Sequence, residues 1–471
     1  MVELTQLAKK VYIKSYGCQM NVYDSERMAD ILAPLGYRLT PSGDDADMVI
    51  LNTCHIREKA AEKVYSELGR IRNIKNKRAE QGQDMIIAVA GCVAQAEGEE
   101  VLRRAPYVDM VFGPQTYHRL PEMVAKATRA SGSVLDTDFP EESKFDHLPK
   151  VTSHAGKTAF LAIQEGCDKF CTFCVVPYTR GGEYSRPVVS VREEVQQLVD
   201  AGVCEITLLG QNVNNYQGET TSGEICGLGQ LIRELADIPG LERLRYTTSY
   251  PAEVDDTLIA AHRDVPELMP YLHLPVQSGS DKILAAMNRR HNGDQYRKLV
   301  EKLRRAQPDI GLSSDFIVGF PGETDQDFQD TLNLIRDIGY IQAYSFKYSP
   351  RPGTPAAAHE LQVPEDVKSR RLQILQDFLN EQQTAFNQSC VGKTLSVLLE
   401  RRGRKSGQLI GRSPYMQAVH VMAPDHLMDT IVDLKIEAAH ANSLTGQLVG
   451  AEKITGHGAL NHNSLIQGVP A

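Results

Sequence analysis

The chain has 471 residues, 42% apolar and 24% charged, and its 51 basic and 60 acidic side chains leave a formal net charge of −9. That length exceeds one hydrophobic core, so two to four domains are expected from an ordinary globular composition. The acidic balance rules out nucleic-acid binding through overall charge, so any such partner must be met by local basic patches.

No stretch reaches the ~18 apolar residues of a membrane span. The opening MVELTQLAKKVYIKSYG has no long apolar run. A cytoplasmic protein with no signal peptide and no membrane partner is therefore expected. Nine cysteines stand at 18, 54, 92, 167, 171, 174, 204, 226 and 390. An odd count in a reducing compartment argues against a disulfide framework and for metal ligation.

Residues 9–127 alternate short apolar runs with helical patterns. Val11–Ile13, Met48–Leu51 and Met85–Ala90 read as buried strands, with helices over Ser25–Leu35 and Glu58–Ile74 between them. This predicts an α/β domain on a parallel sheet. Basic residues gather between Arg70 and Arg78, where a solvated helix face is the default reading. A polar, proline-bearing stretch follows at Gly132–Lys150, and residues 128–152 read as a linker.

Residues 153–384 form the largest expected domain. Strand then helix repeats six times, with strands at Ala159–Gln164, Glu205–Leu209, Arg243–Thr247, Tyr271–Leu274, Leu312–Val318 and Gln342–Phe346. Sequential βα units give a parallel arrangement, an open sheet or a partial (β/α)6 barrel. After the helix Glu365–Gln388, five short strands follow at close spacing: Thr394–Glu400, Gln408–Ser413, Gln417–Met422, Thr430–Ala438 and Ser443–Val449. They place a small all-β barrel or sandwich over residues 386–454. Residues 455–471 read as a flexible tail.

The sequence EGCDKFCTFCVVPYTRGG carries Cys167, Cys171 and Cys174 in C-x3-C-x2-C spacing, directly after the first strand of the βα series. The C-terminal ends of parallel strands are where such folds gather ligands. Three thiolates can hold three irons of a 4Fe–4S cluster and leave the fourth open to a small molecule. The competing reading is structural zinc, which normally takes four protein ligands; His154 is the available fourth but lies well upstream.

This motif, with Phe173 before the last cysteine, resembles the signature of radical S-adenosylmethionine (SAM) enzymes. The resemblance implies that the open iron chelates SAM and that one electron cleaves its sulfonium to a 5′-deoxyadenosyl radical. The remaining strand ends are rich in Gly, Ser, Asn, Gln and Pro, as in GQNVN (Gly210–Asn214), LPVQSGSD (Leu274–Asp281) and VGFPGET (Val318–Thr324). The resemblance implies SAM contacts at the second and fifth strand ends, and Gln211, Asn212, Gln277 and Ser278 are singled out for cofactor binding. Ordinary turn chemistry competes at each. Tyr178 and Arg180 are expected beside this triplet, facing substrate or SAM, or else as a structural turn.

Cys18, Cys54 and Cys92 lie in YGCQMN, NTCHIRE and AGCVAQ, each just after one of the three N-terminal strands. In a parallel sheet those ends share one edge, so cysteines 36 and 38 residues apart can converge. Each precedes a helical pattern whose first amides favour a thiolate. A second three-cysteine cluster is expected. Asn21, Asn52, Thr53 and Gln95 stand ready to bond cluster sulfurs or to cap local turns. Cys204, Cys226 and Cys390 read as non-ligands.

A three-cysteine N-terminal domain, a radical SAM core and a C-terminal β-barrel together resemble the methylthiotransferases, from Lys10 to about Thr455. The resemblance implies two 4Fe–4S clusters, two SAM per product, and an RNA-binding TRAM-like barrel whose patch is Arg401, Arg402, Arg404 and Lys405, with Arg412 close by. CVVPYTRGGEYSRP, YGCQMN, LLGQNVN, HLPVQSGSD and SSDFIVGFPGET resemble the tRNA-modifying branch. Gly182 departs from it, where many relatives carry an acid; Glu183 follows. The implied substrate is N6-isopentenyladenosine in a tRNA anticodon loop, methylthiolated at carbon 2. Implied partners are an electron donor such as flavodoxin or ferredoxin and a sulfur or cluster carrier. Threonylcarbamoyl-adenosine tRNA, an aspartate of a ribosomal protein, and a non-catalytic Fe–S RNA-binding protein remain the alternatives.

Overall fold

The computed structural model describes residues 8–54, 60–129, 132–150 and 156–450. The chain divides into two compact units, Met1–Gln383 and Thr384–Ala471. His154, Glu58 and the 455–471 tail, all named above, lie outside the described residues.

The first unit begins with a six-stranded sheet in the order β2-β1-β3-β4-β5-β6, parallel throughout. Its strands are β1 Lys9–Tyr16, β2 Tyr37–Leu39, β3 Met48–Thr53, β4 Ile86–Ala90, β5 Met110–Phe112 and β6 Val134–Asp136. β3 is buried at every residue and β4 at all but the first, as continuous apolar runs between two helical layers should be. Helices α1 Gln19–Leu32, α2 Ala60–Glu80, α3 Cys92–Arg104 and α4 Leu120–Arg129 make the crossovers. Helix α1 starts six residues before Ser25, the start predicted, because Cys18 in extended backbone is already its N-cap.

The expected linker does not run free. Val134–Asp136 pairs with β5 as the sixth strand, and Lys144 further on is 2% exposed. The three residues of β6 lie at the start of a polar, proline-bearing stretch, which hides them as a strand.

Beyond it come β7 Thr158–Ala162, β8 Gln164–Glu165, helix α5 Val176–Arg180, β9 Tyr184–Ser185, helix α6 Val188–Asp200 and β10 Glu205–Leu209. A side hairpin, β11 Gln217–Glu219 with β12 Ile225–Gly227, precedes β13 Arg243–Thr247, β14 Tyr271–His273, β15 Gly311–Val318 and β16 Gln342–Lys347. The six main strands form two parallel three-stranded sheets, β7-β10-β13 and β14-β15-β16, joined by a parallel bridge between Leu244 and Leu268. The six strands stand in sequence order, as the repeated βα pattern predicts. Strands β8 and β9 pair antiparallel and close the loop 166–183, which carries the cysteine triplet. Met20 and Tyr23 of α1 join Leu161, Leu208 and Leu244 in the large apolar cluster of this core. Each fully buried side chain of that size contributes ~1.5–3 kcal/mol, so α1 serves both halves of the unit.

In the second unit, β17 Thr394–Arg402, β18 Gln408–Arg412, β19 Ala418–Met422, β20 Ile431–Ala439 and β21 Ser443–Leu448 form a closed barrel in the order β17-β18-β19-β21-β20. Alternate residues Val397, Leu399, Leu409, Val419, Val421, Leu434, Ile436 and Leu444 fill it. The long helix Glu365–Ser389 leads into it. The all-β expectation thus resolves to a barrel.

Candidate functional site

Strands β1, β3 and β4 are neighbours in the sheet, and each is followed within two residues by a cysteine. Cys18 caps α1, Cys54 follows Thr53 of β3, and Cys92 opens α3. Two glycines bring these ends together. Gly17 has φ +109°, and a Cβ there would stand 2.3 Å from the Cys54 Cβ. Gly91 has φ +86°, and its Cβ would meet Asn52 Oδ1 at 2.3 Å. Cys54 hydrogen-bonds Cys18 and pulls its thiol below the ordinary value, with the Arg180 charge helping. Burial pushes Cys92 up, while Arg180 and its hydrogen bond pull the other way.

The flanking amides do local work. Asn21 Nδ2 donates to Tyr16 O at 3.1 Å, Asn52 Nδ2 to Asn21 O at 2.8 Å, and Gln95 Nε2 to Thr137 O at 2.7 Å. Thr53 Oγ1 is buried with no partner among the described residues.

The second triplet lies in the loop 166–183. Gly166, at φ +78°, leaves no space for a Cβ, which would sit 1.9 Å from Gly182 O. The Cys167 amide donates to Gly181 O at 3.2 Å and the Cys174 amide to Cys171 O at 2.9 Å. Two donors reach the sulfurs: Val176 N is 3.5 Å from Cys174 Sγ and Arg289 Nη1 is 3.7 Å from Cys171 Sγ. Burial pushes the Cys167 thiol up to about 11 and Cys174 up to about 12, so metal must displace their protons on binding.

The four residues singled out for SAM differ in their surroundings. Gln211 Oε1 accepts from Gly166 N at 2.7 Å, tying the second strand end to the cysteine loop. Asn212 Nδ2 donates to Glu183 at 3.0 Å, and its buried Oδ1 has no partner among the described residues. Gln277 holds φ +78° and bridges Phe316. Ser278 is fully buried, 3.2 Å from Thr331 Oγ1, and accepts from the Ser280 amide at 3.2 Å, so its hydroxyl is engaged inside the fold.

Tyr178 is exposed, but Arg180 is buried and turned towards the other triplet. Its Nη1 meets Glu165 at 2.5 Å, and its Nη2 meets Asp24 at 2.7 Å and Asn21 Oδ1 at 3.0 Å. Lys144 reaches Glu165 at 2.7 Å and Asp24 at 3.6 Å. Asp24, Lys144, Glu165, Glu183 and Arg289 were not singled out from the sequence, since each finds its partners far away along the chain. Only Glu165, two residues before Cys167, and Glu183, in GGEY, carried a local hint.

Each triplet fits an iron–sulfur cluster by donor chemistry. All six cysteines are free thiols at strand or loop ends, with close-packed glycines beside them and hydrogen-bond donors on two of the core sulfurs. Among the described residues, no three His, Cys, Asp or Glu side chains gather tightly enough to hold one metal ion. A cluster spreads its thiolates over several irons and makes no such demand. Cys204 and Cys226, pushed up by burial to about 11, and Cys390, whose Sγ donates to Phe386 O, sit in ordinary packing.

The N-terminal basic run is largely neutralised: Arg70 pairs with Glu67, Lys75 with Asp109 and Arg78 with Asp47. In the barrel, Arg401, Arg402, Arg404 and Lys405 stand exposed where β17 turns into β18. Arg402 takes Asp425 at 2.8 Å and Arg412 takes Glu400 at 3.5 Å. For Arg401, Arg404 and Lys405 there is no ion pair among the described residues.

Three family models match this chain: the uncharacterized protein family UPF0004 over residues 10–113, the radical SAM superfamily over 161–335, and the TRAM domain over 388–449. That order of domains is typical of methylthiotransferases. Among solved structures, the chain is similar to the radical S-adenosylmethionine methyltransferase TsrM from Kitasatospora setae, solved with cobalamin and a [4Fe-4S] cluster bound. The two are 12% identical over 83% of this chain and 80% of that one, with a TM-score of 0.56. It is also similar to the cobalamin-dependent S-adenosylmethionine radical enzyme OxsB, solved with aqua-cobalamin and S-adenosylmethionine. There the identity is 13%, over 79% of this chain and 56% of that one, with a TM-score of 0.52. At such identities the likeness is one of fold. No helix among the described residues is long and apolar enough to cross a membrane.

Proposed function

We propose that this chain, with its methylthiotransferase-type, radical SAM and TRAM domains, is a tRNA methylthiotransferase of the MiaB branch. It adds a methylthio group to carbon 2 of N6-isopentenyladenosine at tRNA position 37, using two 4Fe–4S clusters and two SAM per product. The observation that carries this reading is the pair of three-cysteine sets in one compact unit, tied together through Arg180.

The aromatic hydrogen at carbon 2 is too strongly bound and too weakly acidic for removal by a general base. A cluster with one open iron, together with SAM, supplies one-electron cleavage of the sulfonium and a carbon-centred radical able to take that hydrogen. Cys167, Cys171 and Cys174 hold that cluster, and Arg289 donates to the Cys171 sulfur. Asn212, with its free Oδ1, and Gln277 orient SAM at the strand ends, where Glu183 fixes the Asn212 amide. Gln211 braces the cysteine loop. Cys18, Cys54 and Cys92 hold the second cluster, which carries the sulfur to be inserted. Arg401, Arg404 and Lys405 meet phosphates of the RNA, with Arg402 and Arg412 beside them. The electron comes from a donor such as flavodoxin or ferredoxin, and sulfur from a carrier.

The test is anaerobic reconstitution with SAM and reductant, offered separately prenylated tRNA, threonylcarbamoyl-adenosine tRNA and ribosomal protein. Mass analysis should find the methylthio group on prenylated adenosine only. Methylthiolation of either other substrate, or of none, overturns the assignment.

A further inference from the structure

Helix α5 starts two residues beyond Cys174 and ends at Arg180. One short helix therefore runs from the core triplet to a guanidinium. That guanidinium is 2% exposed and is spent on groups around the other triplet and on Glu165. It reaches Asp24 and Asn21 of α1, and the same Asn21 Oδ1 accepts from Cys18 Sγ at 3.6 Å. Its charge also bears on Cys92. Lys144 completes the group, bonded to Glu165 and Pro114 O and close to Asp24.

Two carboxylates and two cations thus meet in a nearly dry place, drawn from helix α1, the segment after β6 and the core. A buried ion network of this kind is a weak source of net stability, because desolvation offsets the attraction. What such a network does impose is a penalty on separation, since a charge that loses its partner is left stranded in the dry interior. Here the parts it joins carry the two cysteine sets.

We infer that Arg180 is a positioning residue that holds the two cysteine sites at a fixed spacing, so that a radical made at one is delivered where the other holds its sulfur. The inference rests on the assignment of both sites to one reaction. Losing Arg180 leaves each site its ligands but frees their spacing, and a misplacement of about 1 Å costs on the order of 10²-fold in rate.

The test compares Arg180→Met and Arg180→Lys with Lys144→Met, which breaks the same network without touching a cysteine. Four quantities are read in the full-length reconstituted protein. They are iron and sulfide per chain, 5′-deoxyadenosine formed, methylthio product formed, and magnetic coupling between the two reduced centres by pulsed EPR.

Arg180→Met should keep its iron and its deoxyadenosine, lose tenfold or more in product per deoxyadenosine, and show weakened coupling. Arg180→Lys should recover part of both. Lys144→Met should lower the unfolding temperature but keep the product ratio within twofold, because Arg180 still bridges Asp24 and Glu165 directly. Wild-type ratio and coupling in both Arg180 variants overturn the inference, as does an equal loss of ratio in Lys144→Met. Should Arg180→Met not fold, the ratio and coupling of Arg180→Lys decide alone. Wild-type protein that forms no deoxyadenosine overturns the functional reading and this inference together; turnover with unaltered Arg180 variants overturns the inference alone.

Discussion

Arg289 Nη1 lies 3.7 Å from Cys171 Sγ, across 118 residues of chain. The guanidinium is fixed from two other sides, by Pro275 O at 2.6 Å and by the Tyr250 ring, whose centroid is 4.2 Å away. A fixed positive donor on a cluster sulfur favours the reduced, more negative state. Arg289→Met should therefore move the reduction potential of the core centre to more negative values and slow deoxyadenosine formation about tenfold. Arg289→Lys should fall between. Potentiometric titration followed by EPR reads this directly, and an unmoved potential contradicts it.

Gly17 turns the chain into Cys18 while lying against Cys54. Its φ of +109° and the 2.3 Å approach of a built Cβ leave alanine no place. Gly17→Ala should cost ~1–3 kcal/mol in strain alone and push Cys54 aside, so that iron is lost from the N-terminal site while SAM cleavage persists. Gly36→Ala is the matched comparison, because Gly36 has φ +83° with nothing near its Cβ position. Iron analysis should separate the two, with Gly36→Ala losing stability only.

Burial holds His262 down to about 4 and His291 down to about 3, against an ordinary value of 6.5. Neither His291 nitrogen has a partner among the described residues, while His262 Nε2 stands 2.7 Å from the Tyr246 hydroxyl. The folded chain keeps both rings neutral, whereas the unfolded chain protonates them below about 6.5. Their contribution is thus fully present above that value and is lost as pH falls towards 4 and then 3. The differences are worth on the order of 3 kcal/mol for His262 and 5 kcal/mol for His291. Urea unfolding at pH 7, 6 and 5 should show a steep loss, and His291→Phe should flatten it. Equal slopes in the two proteins would remove His291 from the account.

At the tip of the β17–β18 hairpin, Arg404→Glu with Lys405→Glu should weaken RNA binding and reduce the dependence of log K on log salt. The slope should fall by about 0.7 for each single-strand phosphate that the variant no longer neutralises. Arg402→Ala should do less, because Asp425 already takes that charge. Filter binding over a salt series measures both, and an unaltered slope in the double variant would place the RNA elsewhere.

What the sequence displayed well was whatever repeats or runs. β3 and β4 are unbroken apolar stretches, the six core strands alternate with helices, and three cysteines at matching strand ends announce an edge. β2, β5 and β6 are three residues each, and Val134–Asp136, at the start of a polar, proline-bearing stretch, passes for linker until the sheet claims it. Single polar residues were the least legible. Lys144 looks like a surface lysine in KFDH, yet Glu165 and Asp24 bury it. Arg180 drew notice for its nearness to Cys174 along the chain, but a short helix delivers its guanidinium to Asp24 instead.

The most direct measurement is the split between two alanine variants, reconstituted anaerobically and assayed for deoxyadenosine and for methylthio nucleoside on prenylated tRNA. Cys171→Ala should abolish both. Cys54→Ala should still form deoxyadenosine and yield no methylthio product. Methylthio product from Cys54→Ala at the wild-type rate would contradict the two-site account.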